Sequence, residues 1–279
     1  LMSLATSTRM PYAANMPSRP KALVLTAAGI NCDLELAEAF ELAGAEAVTV
    51  HITRLAREPD MVDDFDLVGL PGGFSYGDAI AAGRILSTML NGKILQHLRA
   101  AIDRGVPMIA PCNGFQIAVQ AGLLPGPWGD KPAQTEAALL ENCGGRFVDR
   151  WVRVEYPQSR CVWTQGLHTS DLADVLPIAH GEGRFHASDK TMQQLETEGR
   201  IAVRYAADDD PNGSLGRVAG ICDHTGLVLG LMPHPERYVH WMQHPSWTRL
   251  GEMSGETPGL QMFKSAVTHV QSARVAAST

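Results

Sequence analysis

The chain has 279 residues, of which 45% are hydrophobic and 19% charged, and its formal net charge is −7. This length and composition are typical of a soluble globular protein with a substantial core, built as one large domain or two smaller ones. The acidic balance, without a cluster of Lys or Arg, argues against a nucleic-acid binder that works by bulk charge. No apolar run reaches the roughly 20 residues that a membrane-spanning helix needs.

The cysteine pattern favours a reducing compartment. The count is odd and no CxxC pair occurs, which argues against a disulfide framework and against a structural zinc site. We therefore expect a cytoplasmic protein. Residues 1–20 lack the continuous hydrophobic core of a secretory signal, and we predict a mobile N-terminal extension there, followed by a single domain over 21–279.

The first half of the chain alternates strands with helices. The apolar runs predict strands at 22–26, 47–52, 66–70 and 106–110. Helices are predicted over 33–43, 78–90 and 93–104, and a fourth after Gly114 through residue 121. Asp33 is the predicted N-cap of the first helix, and Gly44 is predicted to end it. This alternation is typical of a parallel sheet with helices on both faces.

The second half is dominated by short β-like segments. These lie at 150–155, 161–164, 201–205, 218–222 and 227–231. Turn residues such as those at 210–213 separate them, and an amphipathic helix is predicted near 260–270. Two domains, or one mixed sheet with an antiparallel β extension, both fit this pattern. We favour an α/β fold with one mixed, mostly parallel sheet, because no linker-like stretch separates the halves.

Cys112 is the most informative residue because it ends a predicted buried strand and opens a helix. Gly114 completes a pattern similar to a nucleophile elbow, although the sequence is PCNG rather than GxSxG. Such a turn lifts the side chain above the sheet, and a helix N-terminus favours a thiolate. The N–H of Asn113 would face a developing oxyanion. A small buried thiol is the equally simple alternative. Pro111 fixes one backbone angle before the elbow, which we expect to be stiff.

The segment LMPHPER at 231–237 offers partners for a nucleophile. Pro235 biases His234 to an extended conformation, in which His234 and Glu236 project to the same side. A histidine held by a carboxylate is the arrangement that activates a thiol. A rigid surface turn explains the spacing equally well. The functional interpretation rests on the position of both segments at strand ends, where sites form in α/β sheets.

A third segment, LPGGFSYGD at 70–78, places Gly72 and Gly73 at the end of a predicted strand. Adjacent glycines let backbone N–H groups approach a ligand closely. The segment lacks the GxGxxG spacing and the Lys-Ser/Thr pair of nucleotide-binding loops. We interpret it as an oxyanion or substrate loop, with a plain tight turn as the alternative.

Taken together, the motifs resemble a known family. They are NCD (31–33), PGGFSYGD (71–78), CNGFQ (112–116), ENCGGRF (141–147), AHGEGRF (179–185), NGSL (212–215) and GLMPHPER (230–237). From Lys21 to Val270 the chain resembles the glutaminase subunits of phosphoribosylformylglycinamidine synthases, which are class I, or triad-type, glutamine amidotransferases. A cysteine elbow with a downstream His-Pro-Glu is common to the class, whereas PGGFSYGD, HGEGRF and MPHPER together point to these subunits.

The resemblance implies a flavodoxin-like fold and a Cys-His-Glu triad. In that role Cys112 attacks the side-chain amide of glutamine, His234 moves the proton, and Glu236 orients His234. It further implies an oxyanion hole formed by the N–H groups of two residues, Gly73 and Asn113. The implied glutamine-binding residues are Gly72, Phe74 and Gln116.

The resemblance also implies partners. Ammonia would pass to a larger synthetase subunit, which uses ATP and Mg²⁺ to convert formylglycinamide ribonucleotide to the amidine in purine (IMP) biosynthesis. A small third subunit is implied as well, and we expect low glutaminase activity without these partners. For this chain itself we expect no metal or cofactor, and no nucleic-acid or membrane partner.

Three other functions remain open at this point. They are another class I amidotransferase, a catalytically silent scaffold, and a stand-alone cysteine hydrolase or redox sensor. The cluster His180, Glu182 and Arg184 is expected to pack a loop or contact a partner, since its spacing supplies one good nitrogen ligand for a metal. The remaining cysteines, at 32, 143, 161 and 222, are expected to be packed thiols, and 208–210 a solvated turn.

Overall fold

Five parallel strands form one part of a nine-stranded sheet. The computed structural model describes residues 18–78, 82–126, 136–169, 174–249 and 255–278. The parallel strands are β1 (Lys21–Thr26), β2 (Glu46–His51), β3 (Leu67–Gly69), β4 (Met108–Pro111) and β11 (Val228–Leu231). They lie side by side in the order β2-β1-β3-β4-β11. Four of these strands agree with the strand–helix alternation predicted for the first half, whereas β11 comes from the second half, where a β-like segment is predicted at 227–231.

Antiparallel strands continue the same sheet beyond β11. Their order is β10 (Val218–Cys222), β9 (Ile201–Tyr205), β6 (Val148–Glu155) and β7 (Val175–His180). A separate antiparallel pair joins β5 (Ala137–Leu140) to β8 (Arg184–Ala187). The predicted α/β fold with a mixed sheet and an antiparallel extension is therefore confirmed. No described helix has the length and apolar character needed to cross a membrane.

Six of the seven described helices fall into two packed groups. The seven are α1 (Asp33–Ala43), α2 (Ile52–Arg57), α3 (Arg84–Leu90), α4 (Lys93–Asp103), α5 (Asn113–Gln120), α6 (Asp189–Thr197) and α7 (Pro258–Ser278). Helix α1 packs on α7, where the rings of Phe40 and Phe263 meet edge-to-face at 5.3 Å. Helices α2 to α5 pack against one another. Residues 22–25 of β1 are all buried, which requires cover on both faces of the sheet.

Several predicted boundaries are wrong for identifiable reasons. Cys32, not Asp33, occupies the N-cap position of α1 and makes no side-chain cap hydrogen bond, while the Asp33 carboxylate accepts a hydrogen bond from Thr26 Oγ1–H at 2.7 Å. The helix predicted from residue 78 begins at Arg84, since Tyr76 and Asp78 adopt positive φ angles, while 79–81 lie outside the described residues. Of the predicted N-terminal extension, residues 1–17 lie outside the described part as well.

The strand predicted at 161–164 is also wrong. Val162–Thr164 form a 3₁₀ turn, in which the Trp163 ring is fully buried and its Nε1–H donates to Leu227 O at 2.8 Å. Among the α-helices and strands of the described residues, the sequence analysis missed five, namely α2, α6, β5, β7 and β8. It also underestimated the final helix, which extends from Pro258 to Ser278. The missed strand β7 matters most, because it contributes to the candidate active site.

Candidate active site

Cys112 occupies a strained elbow between β4 and α5. Its φ of 51° and ψ of −113° are rarely adopted by a residue with a side chain. The sheet holds this conformation, because Cys112 N–H donates to Leu231 O of the neighbouring strand at 2.7 Å. At Gly114 a Cβ would lie 2.0 Å from Leu70 O, so only glycine lets α5 approach the end of β3 this closely. The predicted elbow geometry is thus present.

His234 and Glu236 form a buried pair directly after β11. His234 Nδ1–H donates to Glu236 Oε1 at 2.6 Å, and both side chains are about 1% exposed. The predicted extended conformation of this segment is wrong, because Pro235–Arg237 form a 3₁₀ turn, and it is this turn that brings the two side chains together. His234 N–H donates to Pro177 O of β7 at 2.8 Å, which fixes the turn against the antiparallel extension.

The charge state of His234 is set by two opposing effects. Burial alone lowers the pKa of His234, but the charges of Glu236 and Cys112 outweigh it and hold that pKa well above its ordinary value. The pair therefore favours an imidazolium whose Nδ1–H donates to the carboxylate of Glu236. Among the described residues, His234 Nε2 has no hydrogen-bond partner of good geometry, although the thiols of Cys112 and Cys32 lie close enough to contribute to the raised pKa.

Gly72 lies between the side chains of His234, Cys112 and Cys32. A Cβ at this position would lie 2.8 Å from His234 Cε1, 3.2 Å from Cys112 Cβ and 3.3 Å from Cys32 Sγ. The absence of a side chain at Gly72 therefore leaves the space in which the nucleophile and the imidazole come together. The next residue, Gly73, has a φ of 132° and forms a β-bridge with Ile30.

Two cavities open beside Cys112. The smaller, of about 140 Å³, is lined among others by Gly73, Phe74, Asp78, Gln116, Phe147, His180 and Glu182. The larger, of about 260 Å³, is lined among others by Cys32, Gly73, Phe74, Asp149, His234 and Arg237. Cys112 borders both cavities. The residues predicted from the sequence, at 72, 73, 74, 112, 113, 116, 234 and 236, are brought together, and their chemical roles remain predictions.

A polar network links the elbow helix to the walls of the smaller cavity. Asn113 Nδ2 donates to Gln116 Oε1 at 3.0 Å, and Gln116 Nε2 donates to Glu182 O at 2.6 Å. Ser75 Oγ–H donates to Asn113 Oδ1 at 2.7 Å. The pKa of Asp78 is raised, chiefly because the carboxyl group is partly buried. Gln116 therefore contributes to the cavity wall by holding the 179–185 segment in place.

The HGEGRF segment packs the loop around this cavity. His180 Nδ1–H donates to Asn142 Oδ1 at 3.1 Å, and Asn142 Nδ2 donates back to His180 O at 2.9 Å. Burial and the charge of His234 lower the pKa of His180 to about 4, so this ring is neutral. Arg184 Nε–H donates to Glu141 O at 2.9 Å. These contacts agree with the predicted loop-packing role, while the predicted partner contact stays untested.

Sequence reasoning missed several residues that border the site. Ala179 O of β7 lies 3.5 Å from Cys112 Sγ, and Arg237 Nη2–H donates to Cys32 Sγ at 2.9 Å. The NCD and HGEGRF motifs indicated these segments, but no spacing rule placed them beside the elbow. Cys32, Cys161 and Cys222 are buried as predicted, whereas the prediction for Cys143 is wrong because that residue is exposed.

Comparisons with known proteins agree with this geometry. The sequence pattern of the CobB/CobQ-like glutamine amidotransferase domain matches residues 19–270. A phosphoribosylformylglycinamidine synthase subunit PurQ from Dehalococcoides mccartyi is 40% identical over 258 residues, covering 90% of this chain and 97% of the relative. A subunit of the same name from Methanococcus maripaludis is 36% identical over 269 residues, with coverages of 90% and 97%. In the solved structure of PurLQS from Thermotoga maritima, one chain matches with a TM-score of 0.70 and 32% identity, over 90% of this chain and 99% of that one.

Proposed function

The chain belongs to the CobB/CobQ-like glutamine amidotransferase family, and from this premise we propose that it is the glutaminase subunit of a phosphoribosylformylglycinamidine synthase. In this role it hydrolyses glutamine and supplies ammonia for purine biosynthesis. One observation carries the proposal, namely the strained Cys112 elbow beside the buried His234–Glu236 pair. The PurQ subunits that it resembles over 90% of its length support the assignment to this synthase.

The proposed chemistry begins with proton transfer from Cys112 to His234. The thiolate attacks the side-chain carbonyl carbon of glutamine and forms a tetrahedral intermediate. The imidazolium then protonates the departing nitrogen, the C–N bond breaks, and ammonia leaves a glutamyl thioester on Cys112. A water molecule, deprotonated by His234, attacks the thioester, which releases glutamate and the thiol. The raised pKa of His234 supports this sequence, because Glu236 stabilises the imidazolium that forms in each half of the reaction.

The N–H groups of Gly73 and Asn113 are the proposed oxyanion donors. Asn113 is the first residue of α5, so its N–H has no acceptor within the helix. Gly73 follows β3 and borders both cavities next to Cys112. Two donors that are fixed by backbone structure need no rearrangement when charge develops on the glutamine oxygen.

The smaller cavity is the proposed glutamine site. Its walls include Phe74, Asp78, Gln116 and Glu182, and two of these carry carboxylates. Glutamine carries an α-ammonium group, so a negatively charged wall suits that end of the substrate. Gly72 leaves the space beside Cys112 Cβ that the reacting amide needs. Gln116 acts through the loop that it holds at Glu182 O.

The ammonia acceptor in this proposal is an ATP- and Mg²⁺-dependent synthetase subunit, joined by a small third subunit. The match to PurLQS, a multi-subunit assembly by its name, supports a partner of this kind. The rings of Phe74 and Phe147, each about half exposed, lie 6.1 Å apart beside the cavity mouths, where a partner would cover them. This chain needs no cofactor of its own in the proposal. We also propose a cytoplasmic location, which five free thiols support.

The test measures glutamine hydrolysis with and without the synthetase subunit, its ribonucleotide and ATP. We expect partner-stimulated activity that Cys112→Ala abolishes and that Cys143→Ala, at an exposed thiol, leaves unchanged. A glutamine-analogue diazoketone should label wild type but not Cys112→Ala. Activity that does not depend on this synthetase would support the glutaminase function but contradict the assignment to this synthase. A chain that is inactive with every partner would favour a silent scaffold.

A further inference from the structure

Arg237 bridges the turn after β11 to the N-terminus of α1, and the proposed reaction does not use it. Its Nη2–H donates to Cys32 Sγ at 2.9 Å, and its Nε lies 3.7 Å from Glu35 Oε1. We propose that Arg237 is a positioning residue, which acts through Cys32 to hold the imidazole of His234 against Cys112. Its effect on catalysis rests on the proposed function, whereas its effect on the reactivity of Cys112 does not.

The turn after β11 is short, so contacts from other elements must fix it. Pro235–Arg237 form a single 3₁₀ turn, and the bond between His234 and Glu236 lies within this segment. That bond orients the imidazole relative to the carboxylate but not relative to the nucleophile. The turn contacts β7 and α7, and His234 N–H donates to Pro177 O of β7 at 2.8 Å. The side chain of Arg237 adds an anchor on a third element, α1.

Cys32 transmits this anchor to the imidazole. Its sulfur, a ring nitrogen of His234 and a carboxylate oxygen of Glu236 all lie within 4.8 Å of one another. A Cβ at Gly72 would lie 3.3 Å from Cys32 Sγ and 2.8 Å from His234 Cε1, so the sulfur and the ring border the same small gap. A sulfur that Arg237 holds in place therefore limits the movement of the ring.

The same contacts keep Cys32 from competing with Cys112 for the base. Burial raises the pKa of Cys32, although His234 and Arg237 oppose this effect. The Cys32 Sγ–H donates to Asn31 Oδ1 at 3.3 Å, while the sulfur accepts from Arg237. A neutral thiol whose donor and acceptor are both in use is a poor proton donor to His234. The base therefore serves one nucleophile.

The charge of the guanidinium also suits the site. Glu236 Oε1 accepts a hydrogen bond from His234, whereas Glu236 Oε2 is buried and has no hydrogen-bond partner among the described residues. The guanidinium of Arg237 lies close enough to Glu236 and Cys112 for their charges to interact. It therefore balances the charge of the carboxylate, and it attracts the thiolate that Cys112 forms in the first step.

The activity experiment compares kcat and KM for partner-stimulated glutamine hydrolysis in Arg237→Ala, Cys32→Ala and Cys32→Ser. A misplacement of about 1 Å reduces rates by about 100-fold, so kcat should fall about 10- to 100-fold in both alanine variants. KM for glutamine should stay within about twofold, because neither Arg237 nor Cys32 is among the described residues that line the smaller cavity. Cys32→Ser should keep most of the activity, since a hydroxyl group can accept from Arg237 and donate to Asn31.

Two further variants test whether Arg237 and Cys32 act through one contact. The double variant Arg237→Ala/Cys32→Ala should lose little more than either single variant, because both changes break the same bond. Arg54→Ala is the matched control, since it removes an exposed arginine from a surface ion pair on α2. Circular dichroism and thermal unfolding confirm that each variant is folded.

A second readout does not depend on glutamine. Mass spectrometry follows the alkylation of Cys112 by iodoacetamide, with Cys143 as an exposed reference thiol in the same chain. Relative to Cys143, alkylation of Cys112 should slow about tenfold in Arg237→Ala and in Cys32→Ala, because a displaced imidazole no longer takes up the thiol proton. Cys32 itself should stay unlabelled in the wild type.

The outcomes separate the positioning role from the proposed function. A wild-type rate of Cys112 alkylation in folded Arg237→Ala would overturn the positioning role in any chain. In an active chain, wild-type kcat in Arg237→Ala, or losses that multiply in the double variant, would overturn it too. Slower alkylation in a chain that never hydrolyses glutamine would instead overturn the proposed function and leave the positioning role standing.

Discussion

Gly72→Ala is the sharpest perturbation of the candidate site, because it adds one methyl group between the proposed base and nucleophile. The new Cβ would lie 2.8 Å from His234 Cε1 and 3.2 Å from Cys112 Cβ. Carbon atoms in contact prefer about 3.5–4.0 Å, so the imidazole must move by roughly 1 Å. A misplacement of this size reduces rates by about 100-fold. We therefore expect kcat for partner-stimulated glutamine hydrolysis to fall about 100-fold.

The same substitution should leave the chain folded, because native domains are stable by about 5–15 kcal/mol. Overpacking by one methyl group typically costs about 1–3 kcal/mol, and Gly72 has no positive φ that alanine would strain. Gly144→Ala is the matched control, since a Cβ there meets nothing within 4 Å. Thermal unfolding and kcat are measured for both variants. Wild-type kcat in folded Gly72→Ala would refute the inference that the triad meets at this glycine, and equal losses in Gly144→Ala would refute its specificity.

Three further predictions follow from the same geometry. Glu236→Gln removes the carboxylate that stabilises the imidazolium of His234, so kcat should fall by about 10³- to 10⁴-fold. The pKa of His234, followed by NMR titration, should fall as well, and an unchanged pKa would contradict this prediction. Asp78→Asn should raise KM for glutamine more than it lowers kcat, if the carboxylate faces the α-ammonium group, and an unchanged KM would reject that contact. In the folded chain the pKa of His180 is about 4, below its unfolded value of about 6.5. Between these two pH values, the unfolded chain therefore binds more protons than the folded chain. The free energy of unfolding should therefore fall as pH drops from about 6.5 to 4, by up to about 3 kcal/mol from this residue, and denaturant titrations of His180→Gln should show a smaller fall.

The parallel half of the sheet was predictable because its signals are local. Each strand is a short apolar run, and Gly44 ends α1 as predicted, in a left-handed conformation with a φ of 99°. The elbow was predictable for the same reason, since a strand, Cys112 and Gly114 stand next to each other in the sequence. These features depend on neighbouring residues, and a single sequence contains that information.

The missed parts depend on contacts between distant residues. Strand β7 contains Pro177, and its sequence has no regular alternation of apolar and polar residues. Its carbonyl groups nevertheless contact both His234 and Cys112. The segment Val162–Thr164 has the composition of a strand, but Trp163 finds a buried position among Phe40 and Phe263 instead. Likewise, the NCD motif did not predict that Cys32 would border His234. In each case tertiary packing decides between structures that the local sequence permits.

The sheet register explains why residues far apart in the sequence meet within one site. Strands β3, β4 and β11 are neighbours and run parallel, so their carboxyl ends deliver Gly72, Cys112 and His234 to the same edge. Pro111 pairs with Leu231, and the Cys112 N–H bond to Leu231 O continues this ladder by one residue beyond β4. The distance between nucleophile and base is therefore fixed by backbone hydrogen bonds. Only the side chains around Gly72 can still shift. A single methyl group at this position is therefore expected to reduce catalysis while the fold is retained.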